Sequence, residues 1–194
     1  MDHNKYLPMK LKWISGALLL SVLLFSCKTK YEYNAEGMAK LNQVLKEKFG
    51  ADAWYTGVTI RTVSTDETAV IVEETKDPNS LKQEQWLKQS DSWEKLSNVT
   101  LQIHNGKPED YMFQLDKQAG LSKLSDLIQQ CRQKLSEVEQ VDDGEITFAS
   151  IKSVNEVHNR DERILYTVSF HSDSKDKSYS FVFDRNGKLK DFNK

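Results

Sequence analysis

The 194-residue chain predicts an α+β fold of two tandem units, each a helix with an antiparallel sheet, the helices packed on one sheet face. Three observations carry this reading. Two stretches repeat apolar residues every three to four positions, the helical period. Seven others read as strands, most of them by alternation with period two, which indicates sheets with one face buried. Two Asn-Gly-Lys triplets, Asn105 to Lys107 and Asn186 to Lys188, lie 81 residues apart.

The first helix spans Ala35 to Phe49. Met38, Leu41, Leu45 and Phe49 make one apolar stripe, and Gly50 is a C-terminal stop. Trp54 to Val63 and Glu67 to Glu74 are strands flanking a hairpin turn at Ser64-Thr65-Asp66. An insertion, 77–96, follows. Its Asp77-Pro78 is suited to open a helix, with proline at the first helical position, and Leu81, Trp86 and Leu87 would face inward. Asn98 to His104 and Asp110 to Leu115 alternate as strands. The second helix spans Leu121 to Glu139, with Leu121, Leu124, Ile128, Cys131, Leu135 and Val138 on one narrow stripe. It reads as a helix laid on a sheet. A coiled-coil seam is the rival, but fewer than three heptads are present. Glu145 to Val154, then Ile164 to Phe170, then Tyr179 to Phe183 complete the strands.

Laid together, the halves match. Gly37-Met38-Ala39-Lys40-Leu41 parallels Gly120-Leu121-Ser122-Lys123-Leu124 at an offset of 83. Each Asn-Gly lies between alternating or aromatic runs, and both residues tolerate the positive φ of a tight hairpin. Each unit therefore runs helix, three strands, Asn-Gly turn, strand, an internal duplication with units at 35–117 and 118–194. Chance likeness of two small α+β patterns is the alternative. With its terminal hairpins, this order resembles the tandem repeats of PepSY-type and β-lactamase-inhibitor-protein-type envelope domains. That resemblance implies one helix packed on an antiparallel sheet per repeat, and a role in binding or inhibiting another protein.

The N-terminus supplies an address. Lys10 and Lys12 precede an apolar run, Trp13 to Phe25, and a small residue, Ser26, stands before Cys27. A basic start, a short apolar run and a small residue at the cut are the parts of a secretory signal. Leu24-Phe25-Ser26-Cys27 resembles a bacterial lipobox. The resemblance implies that residues 1–26 are removed, that Cys27 is acylated, and that the lipid holds the protein on the cell envelope, most simply at the outer membrane facing the periplasm. Met9 begins a normal signal and is a candidate start. The apolar run is about a dozen residues, short of the roughly 20 that a spanning helix needs. An uncleaved anchor is the competing reading, with Lys28 and Lys30 as its flank. Residues 27–34 then form the lipidated cysteine and a short polar tether.

Removing residues 1–26 leaves 24 basic and 28 acidic residues, a formal charge of −4. That argues against a nucleic-acid binder, for which a strongly basic surface is expected, and against a polybasic membrane patch. Cys131 is then the one remaining thiol, so packing rather than an internal disulfide must hold the fold.

No stretch names a reaction. His3, His104, His158 and His171 lack helical metal spacing, and there is no Cys-x-x-Cys, Gly-rich phosphate loop or Gly-x-Ser-x-Gly. Glu73-Glu74, Glu109-Asp110, Asp142-Asp143 and Asp161-Glu162 are neighbours whose side chains on a strand would point to opposite faces. Cys131 sits on an apolar stripe, where a thiol behaves as a small hydrophobe. No catalytic residue, cofactor or metal ligand set is therefore expected, and the chain reads as a non-enzymatic, membrane-anchored envelope module whose partner is another envelope protein. An inhibitor or protective factor against an enzyme is the alternative. Trp86 and Trp93 are the candidate partner contacts, because tryptophan is enriched at binding hot spots. Anchoring of the insertion onto the sheet is the competing role.

Overall fold

A computed structural model describes residues 29–154 and 163–194. Cys27, with the rest of the signal and lipobox, and His158, Asp161 and Glu162 lie outside the described residues.

Both helices form where the periodicity places them. Helix α1 is Ala35–Phe49, opened by the Asn34 side chain, which accepts a hydrogen bond from the Gly37 amide, and closed at Gly50 with φ of 100°. That φ suits glycine. Helix α2 is Leu121–Glu139. Each inserts its stripe into one hydrophobic core, and Met38, Leu41, Leu45, Leu124 and Ile128 are fully buried. Val138, expected on the α2 stripe, is 63% exposed. It falls in the last turn of the helix, beyond Leu135.

Among the described residues eight strands form a single antiparallel sheet, β1 (Trp54–Ser64), β2 (Glu67–Thr75), β3 (Lys82–Gln89), β4 (Ser92–Thr100), β5 (Glu145–Ser153), β6 (Ile164–Ser172), β7 (Lys177–Phe183) and β8 (Leu189–Asn193). Their spatial order is β4-β3-β2-β1-β5-β6-β7-β8. Each helix is thus followed by a four-stranded meander, and the meanders join along β1 and β5. Both joining strands carry a bulge near their start, between Tyr55 and Gly57 and between Ile146 and Phe148. The buried side chains of β1, Val58 and Ile60, and of β5, Ala149 and Ile151, share the helix-covered face with Tyr166, Val168, Phe170 and Phe181.

The segment 77–96 departs from its expected helix. Asp77-Pro78 opens a loop instead, Leu81 is exposed, and β3 and β4 form a hairpin through Ser90-Asp91. Strand geometry wins because β2 offers β3 a free edge, so the backbone of an otherwise polar segment finds its hydrogen bonds there. The strand expected over Asn98 to His104 ends at Thr100. Asp110 to Leu115 is a 3₁₀ turn, Pro108–Tyr111, followed by one isolated bridge, in which Phe113 and Tyr55 exchange backbone bonds of 2.8 Å. Asn105-Gly106 therefore makes no hairpin. It lies after β4, whereas Asn186-Gly187 turns β7 into β8, so the two triplets are not equivalent in the topology.

The expected tether is packed from Thr29 onward. The Thr29 carbonyl accepts from the Thr68 amide at 3.1 Å, and the Tyr31 amide donates to Thr68 Oγ1 at 3.0 Å. Tyr31 and Tyr33 are buried, and the Tyr33 hydroxyl meets Thr62 Oγ1 at 3.0 Å. Burial pushes both phenols up to about 12.

Candidate functional site

Trp86 and Trp93 lie on the helix-covered face of β3 and β4. Both are half-buried and pack edge-on against Phe49 at the end of α1, with ring centroids 6.1 and 5.0 Å away. Lys48 Nζ sits 4.3 Å over the Trp86 ring. The two indoles thereby fasten the β3–β4 hairpin to the helix layer.

Beyond the end of α1 the same face opens into a cleft of about 600 Å³, lined among others by Glu74, Lys76, Lys82, Glu84, Asn98 and Thr100. Glu74 and Glu84 are direct cross-strand partners. Glu84 is held by Lys95 Nζ at 2.5 Å and by the Trp86 indole N–H at 3.1 Å. The lysine, first of all, lowers its pKa. Glu74 is 4% exposed, and among the described residues its Oε2 has no hydrogen-bond partner. Burial, and secondarily the Glu84 charge, raise its pKa against the pull of Lys76, the Trp86 indole and Lys95. Across β1, Glu74 faces Tyr55 just before the bulge. The matching place beside Ile146 is taken by Phe170, fully buried against Phe181. The first meander thus keeps a carboxyl where the second keeps an aromatic ring. Such a pair, one carboxyl inclined to hold its proton and one ionised, can bind a proton or a hydrogen-bonding group.

An acid with a raised native pKa stabilises the fold relative to its unfolded value at low pH, and that advantage disappears as pH rises through the native pKa. Glu74→Leu is therefore expected to stabilise the protein by about 1–3 kcal/mol at pH 8 and to leave it little changed below the ordinary carboxylate range. Thermal melts at the two pH values check this. Equal effects at both would contradict it.

The remaining candidates are dispersed. Cys131 is buried on α2, and burial pushes its thiol up to about 12. His104 is exposed beyond β4. His171 lies at the other end of the sheet, with Nε2 3.3 Å from Asp173 Oδ1. Among the described residues no group of three His, Cys, Asp or Glu side chains is placed to hold a metal ion, and no helix is long and apolar enough to cross a membrane. A second cleft, about 380 Å³, lies between Trp54, Glu109, Met112, Gln118, Arg163 and Arg185. In it the Arg163 guanidinium stacks 4.4 Å over Tyr111 and donates to the Asp110 carbonyl.

The sheet face away from the helices carries the feature that periodicity could not reveal. Register aligns Glu94, Leu87, Ile71, Thr59, Ser150, Thr167, Val182 and Asp191 in one row across all eight strands. Charge occurs only at its two edge strands. At roughly 4.8 Å per strand the row is about 34 Å long. No protein-family model, curated protein or solved structure matches this chain.

Proposed function

We propose that this chain is a lipid-anchored envelope protein, built by internal duplication, that captures another envelope protein on the helix-free face of its sheet. The charge-free row from Leu87 to Val182 carries the reading. Protein interfaces are depleted of charge at their centre and polar at their rim, and here Arg61, Glu73 and Lys152 flank the row. The lipobox-like Leu24 to Cys27 supplies the anchor, and removal of residues 1–26 would place the body in the periplasm, on the outer membrane. The duplication is supported by more than the helix–meander order. Met38, Leu41 and Leu45 match Leu121, Leu124 and Ile128 at the offset of 83, and all six are buried. The bulges of β1 and β5 recur at equivalent places.

Affinity capture of the full-length lipidated protein from crosslinked membranes, read by mass spectrometry, tests the binding role. One envelope protein recovered in fixed ratio, and lost from a Thr59→Arg/Thr167→Arg variant that melts normally, is the expected result. A partner that survives both arginines would remove the sheet face from the account. Inhibition of a hydrolase by the body, with no stable structural partner, would favour the inhibitor role instead.

A further inference from the structure

We infer that the lipid on Cys27 seats one particular end of the sheet on the bilayer and turns the Glu74–Glu84 cleft away from it. This inference rests on the lipid-anchor reading above. The leash is too short to allow otherwise. Thr29 is fixed to the fold by two bonds beyond its chain neighbours, its carbonyl to the Thr68 amide and its hydroxyl to Asp91 Oδ1 at 2.7 Å. Tyr31, 5% exposed, and Tyr33 lock the next turn of chain into the core. A glycine at position 37 is required there, because any Cβ would run into the Glu32 backbone. The two chain steps from Cys27 to Thr29 can span at most about 7 Å.

Thr68 is the second residue of β2 and Asp91 turns β3 into β4, so Thr29 marks the sheet end that bears the Thr65-Asp66 and Ser90-Asp91 turns. Antiparallel pairing brings the start of β5 and the turn after β6, Asp173 to Asp176, to the same end. The cleft lies at the other end, where β2 finishes and β3 begins. The nine residues of β2 separate the two ends by about 30 Å at 3.3 Å per residue. The strands therefore stand up from the membrane rather than lying on it. The seated end mixes Asp66, Asp91, Asp142, Asp143, Asp173 and Asp176 with Lys30, Arg132, Lys175 and Lys177, so it presents no polybasic patch to anionic headgroups and the acyl chains hold it down.

Depth-dependent quenching tests the orientation. Thr65→Cys and Asn79→Cys, each labelled with a fluorophore, are reconstituted as full-length lipidated protein in phosphatidylcholine vesicles containing a headgroup-nitroxide lipid. Cys131 is 1% exposed, too buried to compete for label. Quenching several-fold stronger at position 65 than at 79 is expected. Adding Tyr31→Ala, which frees the leash as far as Asn34, should shrink that contrast. Equal or reversed quenching in protein whose Cys27 carries lipid overturns the orientation and leaves the anchor standing. Absence of lipid from Cys27 overturns both.

Discussion

Replacing Cys27 with alanine, behind a cleavable signal that carries no lipobox, is expected to move the body from the detergent phase to the aqueous phase of a phase-partition assay. Each buried methylene of an acyl chain contributes about 0.8 kcal/mol, so one chain of palmitoyl length adds on the order of 10 kcal/mol, and several on one terminus hold stably. The described body offers little to replace that. The chain from Cys27 onward has a formal charge of −4 and offers anionic lipid no polybasic patch. Retention of the variant in the detergent phase would mean that some other surface of the body holds the membrane.

Phe49→Ala is expected to cost about 3–5 kcal/mol, the range for removing a buried aromatic ring from a core. Phe49 is 6% exposed and touches three rings at once, Tyr55, Trp86 and Trp93, with centroids 6.3, 6.1 and 5.0 Å away. The cavity would open where the β3–β4 hairpin meets α1, so the tryptophan emission should shift to the red even below the melting transition. Urea unfolding monitored by fluorescence checks both effects. A loss under 1 kcal/mol with unchanged emission would show that the hairpin is held from elsewhere, and would return Trp86 and Trp93 to a partner-binding role.

The helices were legible because α1 and α2 each press one face on the sheet, which writes period 3.6 into Met38 to Phe49 and Leu121 to Leu135. Strands β1, β2 and β5 to β7 were legible for the same reason, since one face of each is buried. Strand β3 was not. Its sequence, Lys82-Gln83-Glu84-Gln85-Trp86-Leu87-Lys88-Gln89, lies near the sheet edge, partly beyond the cover of α1, so polar side chains serve on both faces and the alternation vanishes. A signal was present in Trp86 and Trp93 on either side of the polar turn at Ser90, whose φ of 52° closes the hairpin. Asn105-Gly106 misled because a positive φ at Gly106 serves a bend as well as a hairpin. In the sequence Glu74 is one of two neighbouring carboxylates expected on opposite faces of a strand. Only the pairing of Tyr55 with Glu74 shows it to be buried where its counterpart is Phe170. The charge-free row depends on five strand registers at once, and no local pattern encodes those.

The central claim is that this fold is presented from a membrane by a lipid on its N-terminal cysteine. The most direct measurement is the mass of the N-terminal peptide of the protein extracted from membranes. The account predicts a chain beginning at Cys27 and carrying acyl groups on it. A chain that retains residues 1–26, or one that begins at an unmodified residue, would contradict the account.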